Sequence, residues 1–562
     1  MFSEAKQATG YCMGRDLSAS DRTGKQSTVV IDWIVLRPVV PALLLFVLSL
    51  SLYSMTMAPG LTWANLGGDG GDLLAAAHTW GIPHPTVYPT YLVLLRAFSS
   101  VVWFGDAASK GNLFSAVTGA AAVAVFFLAT RKILVRLPVS ETRGRVLPVA
   151  TAFGAALGFA SSNIHWSQST ITEVYALNAL FAALFLWIAA LARTLNDRDQ
   201  PSLLLRSLLA LLLGVALGNH FTVMFIALPF GIWMYWPLLQ PGRRLATLKE
   251  WQVPLGLVAG LCVYLYAPVA SSQDPALNWF FPHTRDGFWT MVSGMPYQDY
   301  VLGVRSEVLR DRIPYLADRW LTQYTALGAV FGLVGITVIW SRLKGFALAG
   351  IVSVVALAVY SVTYRGFDSY VLLIPVFMVI GMWIAAGLLN LIVGLTRFAE
   401  NADVTWLSTR SSAIAPVLFL AATVALPVWS VVFNYEGIDI SGDTEAVEFV
   451  TEAFEAAGTR SVIISEDIPT FALWYQAYVA EPDRDVAVVA WFLLGQEWYW
   501  KHLQRQFPDR IPAGNVIGGL RQLRLIIAHN EGNTAVLFTR DYASYSETYL
   551  LEPAGPLWRV RY

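Results

Sequence analysis

Apolar runs of about 18–24 residues, each closed by a short polar stretch, recur along most of the chain. At roughly 1.5 Å of rise per residue such a run crosses a hydrocarbon core about 30 Å thick, and a helix satisfies its own backbone groups there. The pattern predicts about eleven spans, at 38–57, 111–130, 146–163, 174–192, 202–219, 221–239, 252–270, 321–340, 345–363, 370–394 and 411–432. Segment 86–104 is apolar enough to be a twelfth. Outside this 38–432 region remain a polar tail over 1–37, loops 58–110 and 271–320 within it, and a C-terminal segment 433–562. In that last segment the β-rich runs 461–464, 485–489 and 534–538 alternate with helical stretches at 470–480 and 496–507, which predicts a compact α/β unit. The chain therefore reads as an α-helical polytopic membrane protein carrying a small α/β domain.

Composition supports this class. Hydrophobic residues make up 56% of the chain and charged ones 14%, and the mean hydropathy is +0.53, values that exclude a single soluble core. A formal net charge of −1 gives no case for nucleic acid as a partner. If 86–104 does not cross, Arg131, Lys132, Arg136, Arg193, Arg206, Arg243, Lys249, Arg342, Lys344 and Arg397 all fall on the side of the tail, which holds Lys6, Arg15, Arg22 and Lys25. The short opposite loops contain just Arg365. The positive-inside pattern then makes the tail cytoplasmic, lays 86–104 along the outer interface and puts 433–562 outside the cytoplasm. The tail is too long, and the first apolar run too span-like, for a cleaved signal peptide. Cys12 in the tail and Cys262 in a span suggest no disulfide framework.

Candidate chemistry concentrates after the first span, where Gly67-Gly68-Asp69-Gly70-Gly71-Asp72 is followed by His78 and His84-Pro85. The glycines are expected to adopt positive φ and leave open space around Asp69 and Asp72. The plain alternative is that both aspartates cap the helix starting near Leu73. His78 and His84 are residues that titrate near neutrality or donate to a phosphate, and Tyr88 suits an interfacial aromatic belt. A second polar group runs from His165 through Ser169 and Thr170 to Glu173, Tyr175 and Asn178, and a third is the tight turn Gly218-Asn219-His220. Interhelical hydrogen bonding is the plain reading of both. Arg365 suits a lipid phosphate by its fork of donors, or pairs with Asp368.

Four motifs in this order resemble a known family: Gly-Asp69-Gly-Gly-Asp72 with His84-Pro and Tyr88-Pro, Trp166-Ser-Gln-Ser with Thr172-Glu-Val-Tyr-Ala-Leu-Asn178, Gly218-Asn-His220-Phe-Thr, and Phe471-Ala-Leu-Trp-Tyr475 with Arg484-Asp-Val486. They resemble the multi-span GT-C-type membrane glycosyltransferases related to protein O-mannosyltransferases, in a bacterial form. The likeness covers nearly the whole chain. Asp72 stands where that family has glutamate, and Thr86-Val87 where it has Pro-Gly. The resemblance implies a GT-C-like fold in a bacterial cytoplasmic membrane. It also implies inverting transfer of a hexose, mannose or similar, from a polyprenyl-phosphate donor to a hydroxyl of a protein, glycolipid or polysaccharide. Asp69 or Asp72 would be the base, with a divalent cation on the pair in some family members. His78, His84, Tyr88, His165, Glu173, Tyr175, Asn178, Asn219, His220 and Arg365 would face substrate. A non-catalytic scaffold and a lipid-linked sugar transporter are the rival readings, the second weakened because its sites belong mid-bilayer in broken helices.

Overall fold

The computed structural model describes residues 38–137, 146–192, 202–235, 250–401, 424–425, 427–541 and 549–562. The tail, several of the basic loop residues and most of the eleventh expected span lie outside these, although 427–438 is helical. The first ten expected spans each fall on an apolar helix. Seven are long and apolar enough to cross a membrane: α1 (Val39–Thr56), α4 (Ala107–Leu134), α6 (Tyr175–Ala192), α9 (Gln252–Ser271), α10 (Ser306–Arg342), α11 (Lys344–Thr363) and α12 (Val371–Leu395). Three are shorter: α5 (Val146–Ala160), α7 (Leu203–Leu217) and α8 (Phe221–Tyr235). Two further helices, α2 (Gly70–Thr79) and α3 (Pro89–Val101), fill the loop between α1 and α4.

Helix α3 has 13 residues, which is about 20 Å and too short to cross. It buries Tyr91, Leu92 and Leu95 against the bundle while Val93, Leu94, Val101 and the following Trp103 and Phe104 stay exposed. The loop expected over 271–320 ends earlier, because α10 begins at Ser306 and is 37 residues long. Its first turns carry Glu307, Arg310, Asp311 and Arg312, a charge density that hides the helix from a hydropathy reading.

The C-terminal unit is a five-stranded sheet of order β2-β1-β3-β5-β4, with β1 (Arg460–Ser465), β2 (Asp485–Ala490), β3 (Ala535–Phe538), β4 (Leu550–Ala554) and β5 (Leu557–Arg561). Strands β2 and β3 flank β1 in parallel, and the β4–β5 hairpin adds antiparallel to β3. The three parallel strands are the expected ones, buried on both faces and therefore near-continuously apolar. The short final hairpin and the helices α13 (Glu445–Ala457) and α15 (Gly519–Asn530) were not foreseen. Between β1 and β2 lies α14 (Asp467–Tyr475), which docks on α2 and so joins the domain to the membrane bundle.

Candidate active site

The acidic turn is built by close packing. Positive φ falls on Asn65 (53°) and Leu66 (71°), and on none of the four glycines, contrary to expectation. The left-handed region costs a non-glycine residue roughly 1–2 kcal/mol, and side chains hold it here. Asn65 Nδ2 donates to Thr170 Oγ1 and to the Ile438 carbonyl, both at 3.2 Å, while Gln168 Nε2 donates to the Asn65 carbonyl at 2.8 Å. The glycines instead admit neighbours. A Cβ at Gly71 would lie 2.2 Å from the Phe471 carbonyl oxygen, one at Gly67 2.8 Å from that of Thr62, and one at Gly70 3.2 Å from that of Thr172. At Gly68 it would meet the Ile468 side chain at 3.2 Å. The open space expected around the carboxylates is thus occupied, in part by the C-terminal domain.

Neither aspartate serves as a helix cap through its side chain. Asp72 is fully buried, and its Oδ2 accepts the backbone N–H of His84 at 2.9 Å and stands 2.7 Å from His84 Nδ1. The other imidazole nitrogen, Nε2, lies 3.7 Å from Asp69 Oδ2. Side-chain exposure separates the two carboxylates: 49% for Asp69 against 0% for Asp72. Burial alone would lower the His84 pKa, but Asp69 and Asp72 outweigh it and raise it to about 9. His84 is therefore an imidazolium at neutral pH, held from behind by Asp72 and presented to Asp69.

Aromatic rings fix this imidazole. Phe471 of α14 stacks on it at 6.1 Å and 18°, Tyr88 meets it edge-on at 5.1 Å and Trp279 at 6.5 Å. The loop bearing Trp279 is stitched to the histidine loop, since Ile82 N–H donates to the Leu277 carbonyl at 2.7 Å. Trp279 and Phe471 reach His84 from a loop and a helix far apart in sequence.

Beside the acidic turn lies a second tier. Glu173 is buried and its Oε2 accepts the Val174 N–H at 3.1 Å. Burial, and then the charge of Asp69, hold its carboxyl well above the ordinary range. Tyr175 O–H donates to Asp368 Oδ2 at 3.2 Å, and burial raises the Asp368 pKa although Arg312 opposes this. Arg312 itself donates to the Gly366 carbonyl at 2.7 Å and to Ser369 Oγ. His220 stacks on Tyr88 at 6.4 Å and 8°, and burial lowers its pKa to about 4, so it is neutral.

Asp69, Asp72, His84, Tyr88, Glu173, Tyr175 and His220 thus come together. The other expected residues do not join them as chemistry. His78 Nδ1 sits 2.9 Å from its own helix's Leu74 carbonyl, and the charges acting on it are those of Arg96 and Lys110. His165 is wholly buried, stacks on Phe159 at 4.2 Å and spends Nε2 on the Gly119 carbonyl at 3.2 Å. Asn178 donates to Thr222 Oγ1 at 3.1 Å and Asn219 to the Val174 carbonyl at 3.2 Å, which makes both of them interhelical ties. The Arg365 guanidinium lies 4.4 Å over the Tyr300 ring, and Asp368 takes Tyr175 instead. Sequence reasoning missed Arg312, which it placed inside a loop, and gave Asp368 only as a partner of Arg365. The start of α10 is the signal that would have exposed Arg312 as a fixed cation.

A divalent cation fits this donor set poorly. Asp72 Oδ2 is committed to two His84 nitrogens, and no group of three His, Cys, Asp or Glu side chains is placed to hold a metal among the described residues.

In sequence the chain is similar to protein O-mannosyl-transferases, and in fold to the membrane protein ArnT. Residues 69–240 match the family described as the protein O-mannosyl-transferase TMEM260 N-terminal domain. The mouse protein O-mannosyl-transferase TMEM260 is 26% identical over 458 residues, 79% of this chain and 62% of that protein. Its counterpart in Dictyostelium discoideum is 27% identical over 201 residues, 34% of this chain and 23% of that one. The chain thus spans less than two thirds of the length of either relative. Among solved structures, ArnT from Cupriavidus metallidurans shares the fold at 13% identity. Its apo form gives a TM-score of 0.58 over 95% of this chain and 98% of that one. The form bound to undecaprenyl phosphate gives 0.53 over 94% and 98%.

Proposed function

We propose that this chain is a glycosyltransferase that moves a hexose, mannose or a close relative, from a polyprenyl-phosphate donor to an acceptor hydroxyl outside the cytoplasm, with inversion at the sugar carbon. One observation carries the reading: a half-exposed Asp69 faces an imidazolium that a buried Asp72 holds in place. Asp69, the exposed carboxylate of the pair, takes the proton as the acceptor oxygen attacks the sugar carbon. Asp72 acts through His84 as a positioning residue. Phosphate is a good leaving group and needs charge stabilisation more than a proton. Arg312, held by Gly366 and Ser369, is the cation on hand for it. The apolar groove lined by Ile313, Leu316, Trp320, Val362 and Leu373, next to Arg312, suits an isoprenoid chain. The names of the mouse and slime-mould relatives and the undecaprenyl phosphate bound to ArnT support a protein acceptor and a lipid-linked donor. The orientation follows from the charge asymmetry of the loops, in the cytoplasmic membrane of a bacterium.

The test supplies radiolabelled polyprenyl-phosphate hexoses to membranes containing wild type or Asp69→Asn protein. Labelling of an acceptor by wild type and none by the variant is expected. Transfer undiminished in Asp69→Asn would remove the proposed base.

A further inference from the structure

Three tyrosines beside the acidic turn have no part in the chemistry above. Tyr297 and Tyr300 follow α9 in the long loop, and Tyr364 follows α11. Their rings touch in series, 5.9 Å from Tyr297 to Tyr300 and 5.9 Å from Tyr300 to Tyr364. Tyr360 continues the row, near-parallel to Tyr364 at 5.4 Å and 26°. The two loops are joined by their backbones, Arg365 N–H donating to the Tyr300 carbonyl at 2.9 Å and Val304 N–H to that of Thr363 at 3.2 Å. Gly294, at φ +60°, turns the first loop so closely onto the histidine loop that a Cβ there would lie 3.3 Å from the Thr86 methyl.

The row is next to the reacting centre. Burial first, and then the charge of Asp69 among others, raise the phenol pKa values of Tyr88, Tyr297 and Tyr364, that of Tyr364 to about 12. These phenols therefore remain neutral donors at any working pH. Tyr88 O–H is spent on the Pro85 carbonyl at 3.1 Å and Tyr175 O–H on Asp368. No hydrogen bond is made by the Tyr297, Tyr300 or Tyr364 hydroxyls within the described residues, although all three side chains are half-buried. Hydroxyls that are accessible and uncommitted to the protein are free to pair with a ligand.

Which ligand fits follows from the mixture. Flat apolar faces suit an apolar surface, and the neutral O–H groups along their edges suit a molecule bristling with hydroxyls. An isoprenoid chain has no hydroxyls to offer, and a phosphate seeks cations. A pyranose ring has both a C–H face and a hydroxyl rim. We propose that Tyr297, Tyr300 and Tyr364 bind the pyranose of the lipid-linked donor and determine which hexose is accepted. This rests on the transfer reading for the identity of the donor.

The experiment uses the purified full chain carrying Asp69→Asn, so that bound donor is not consumed. Polyprenyl-phosphate mannose, polyprenyl-phosphate glucose and bare polyprenyl phosphate compete for it, with Tyr297→Phe or Tyr364→Phe added. Phe keeps the ring and removes one hydroxyl. Affinity for a sugar-bearing lipid should fall roughly three- to tenfold per lost hydrogen bond, and the mannose-to-glucose ratio should move. Binding of the bare lipid should hold, which also shows that the variants are folded. Equal loss for sugared and bare lipid, no change for either, or no binding of any hexose lipid would overturn the assignment. Tyrosine-dependent binding by a wild-type chain that transfers nothing would sink the transfer reading and leave the sugar site. Transfer by wild type with both tyrosine variants neutral would do the reverse.

Discussion

Asp72 and His84 are bound twice over: one carboxylate oxygen takes both the backbone N–H and the ring Nδ1 of the histidine twelve residues on, at 2.9 and 2.7 Å. This locks the imidazole by its main chain and its side chain at once, and leaves Nε2 to face Asp69. The two aspartates of one glycine-rich turn therefore differ in surroundings, one buried and spent on the histidine, the other half-exposed.

Asp69→Asn should lower transfer by about 10²–10⁴-fold, the usual worth of a positioned base. Asp72→Asn should leave a measurable residual rate and shift its pH profile toward acid, because His84 loses the buried charge that keeps it protonated. Rates of radiolabel transfer across a pH series separate the two. An identical, pH-independent loss in both variants would contradict the division of roles.

The raised pKa of His84 predicts how stability depends on pH. From an ordinary value of 6.5, the folded protein holds a proton up to about 9 that the unfolded chain has already released. His84 thus contributes its full stabilisation below about pH 6.5 and loses it as pH rises through about 9. Thermal unfolding in detergent at about pH 6 and about pH 9.5 should show wild type approaching His84→Gln at the higher value. A constant gap between them would refute the assignment.

Gly71→Ala should loosen the C-terminal domain. The new methyl would meet a backbone oxygen at 2.2 Å, and overpacking of this kind costs about 1–3 kcal/mol. Gly68→Ala meets only the flexible Ile468 side chain at 3.2 Å and should be milder. Limited proteolysis comparing release of the domain in the two variants checks the order.

His165→Phe should lower stability yet keep turnover near wild type, since it retains the ring against Phe159 and loses one hydrogen bond to Gly119. His84→Phe should be inactive. Turnover per folded molecule distinguishes the two histidines.

Much of the architecture was legible because lipid enforces a pattern. Runs such as 107–134 and 344–363 have to be apolar and long, and parallel strands such as Val486–Ala490 have to be apolar on both faces. Hydropathy failed where a helix leaves the bilayer, as at Ser306–Arg312, because its charges there are as well solvated as a loop's. The acidic turn with His84 stood out by residue type alone. Glycine usage was misjudged because two different demands, a left-handed backbone and a close neighbour, select the same residue, and only coordinates distinguish Gly71 against Phe471 from a glycine in a bend. His165 and His78 looked equivalent to His84 since a sequence does not say which imidazole meets a carbonyl of the helical scaffold and which meets a charge.

The stack of Phe471 on His84 also orders events during synthesis. The acidic turn leaves the ribosome roughly four hundred residues before Phe471, the wall that braces its imidazole. A nascent chain therefore carries an unbraced acidic turn through much of its insertion, until the segment bearing Phe471 has been made, has folded and has settled onto it.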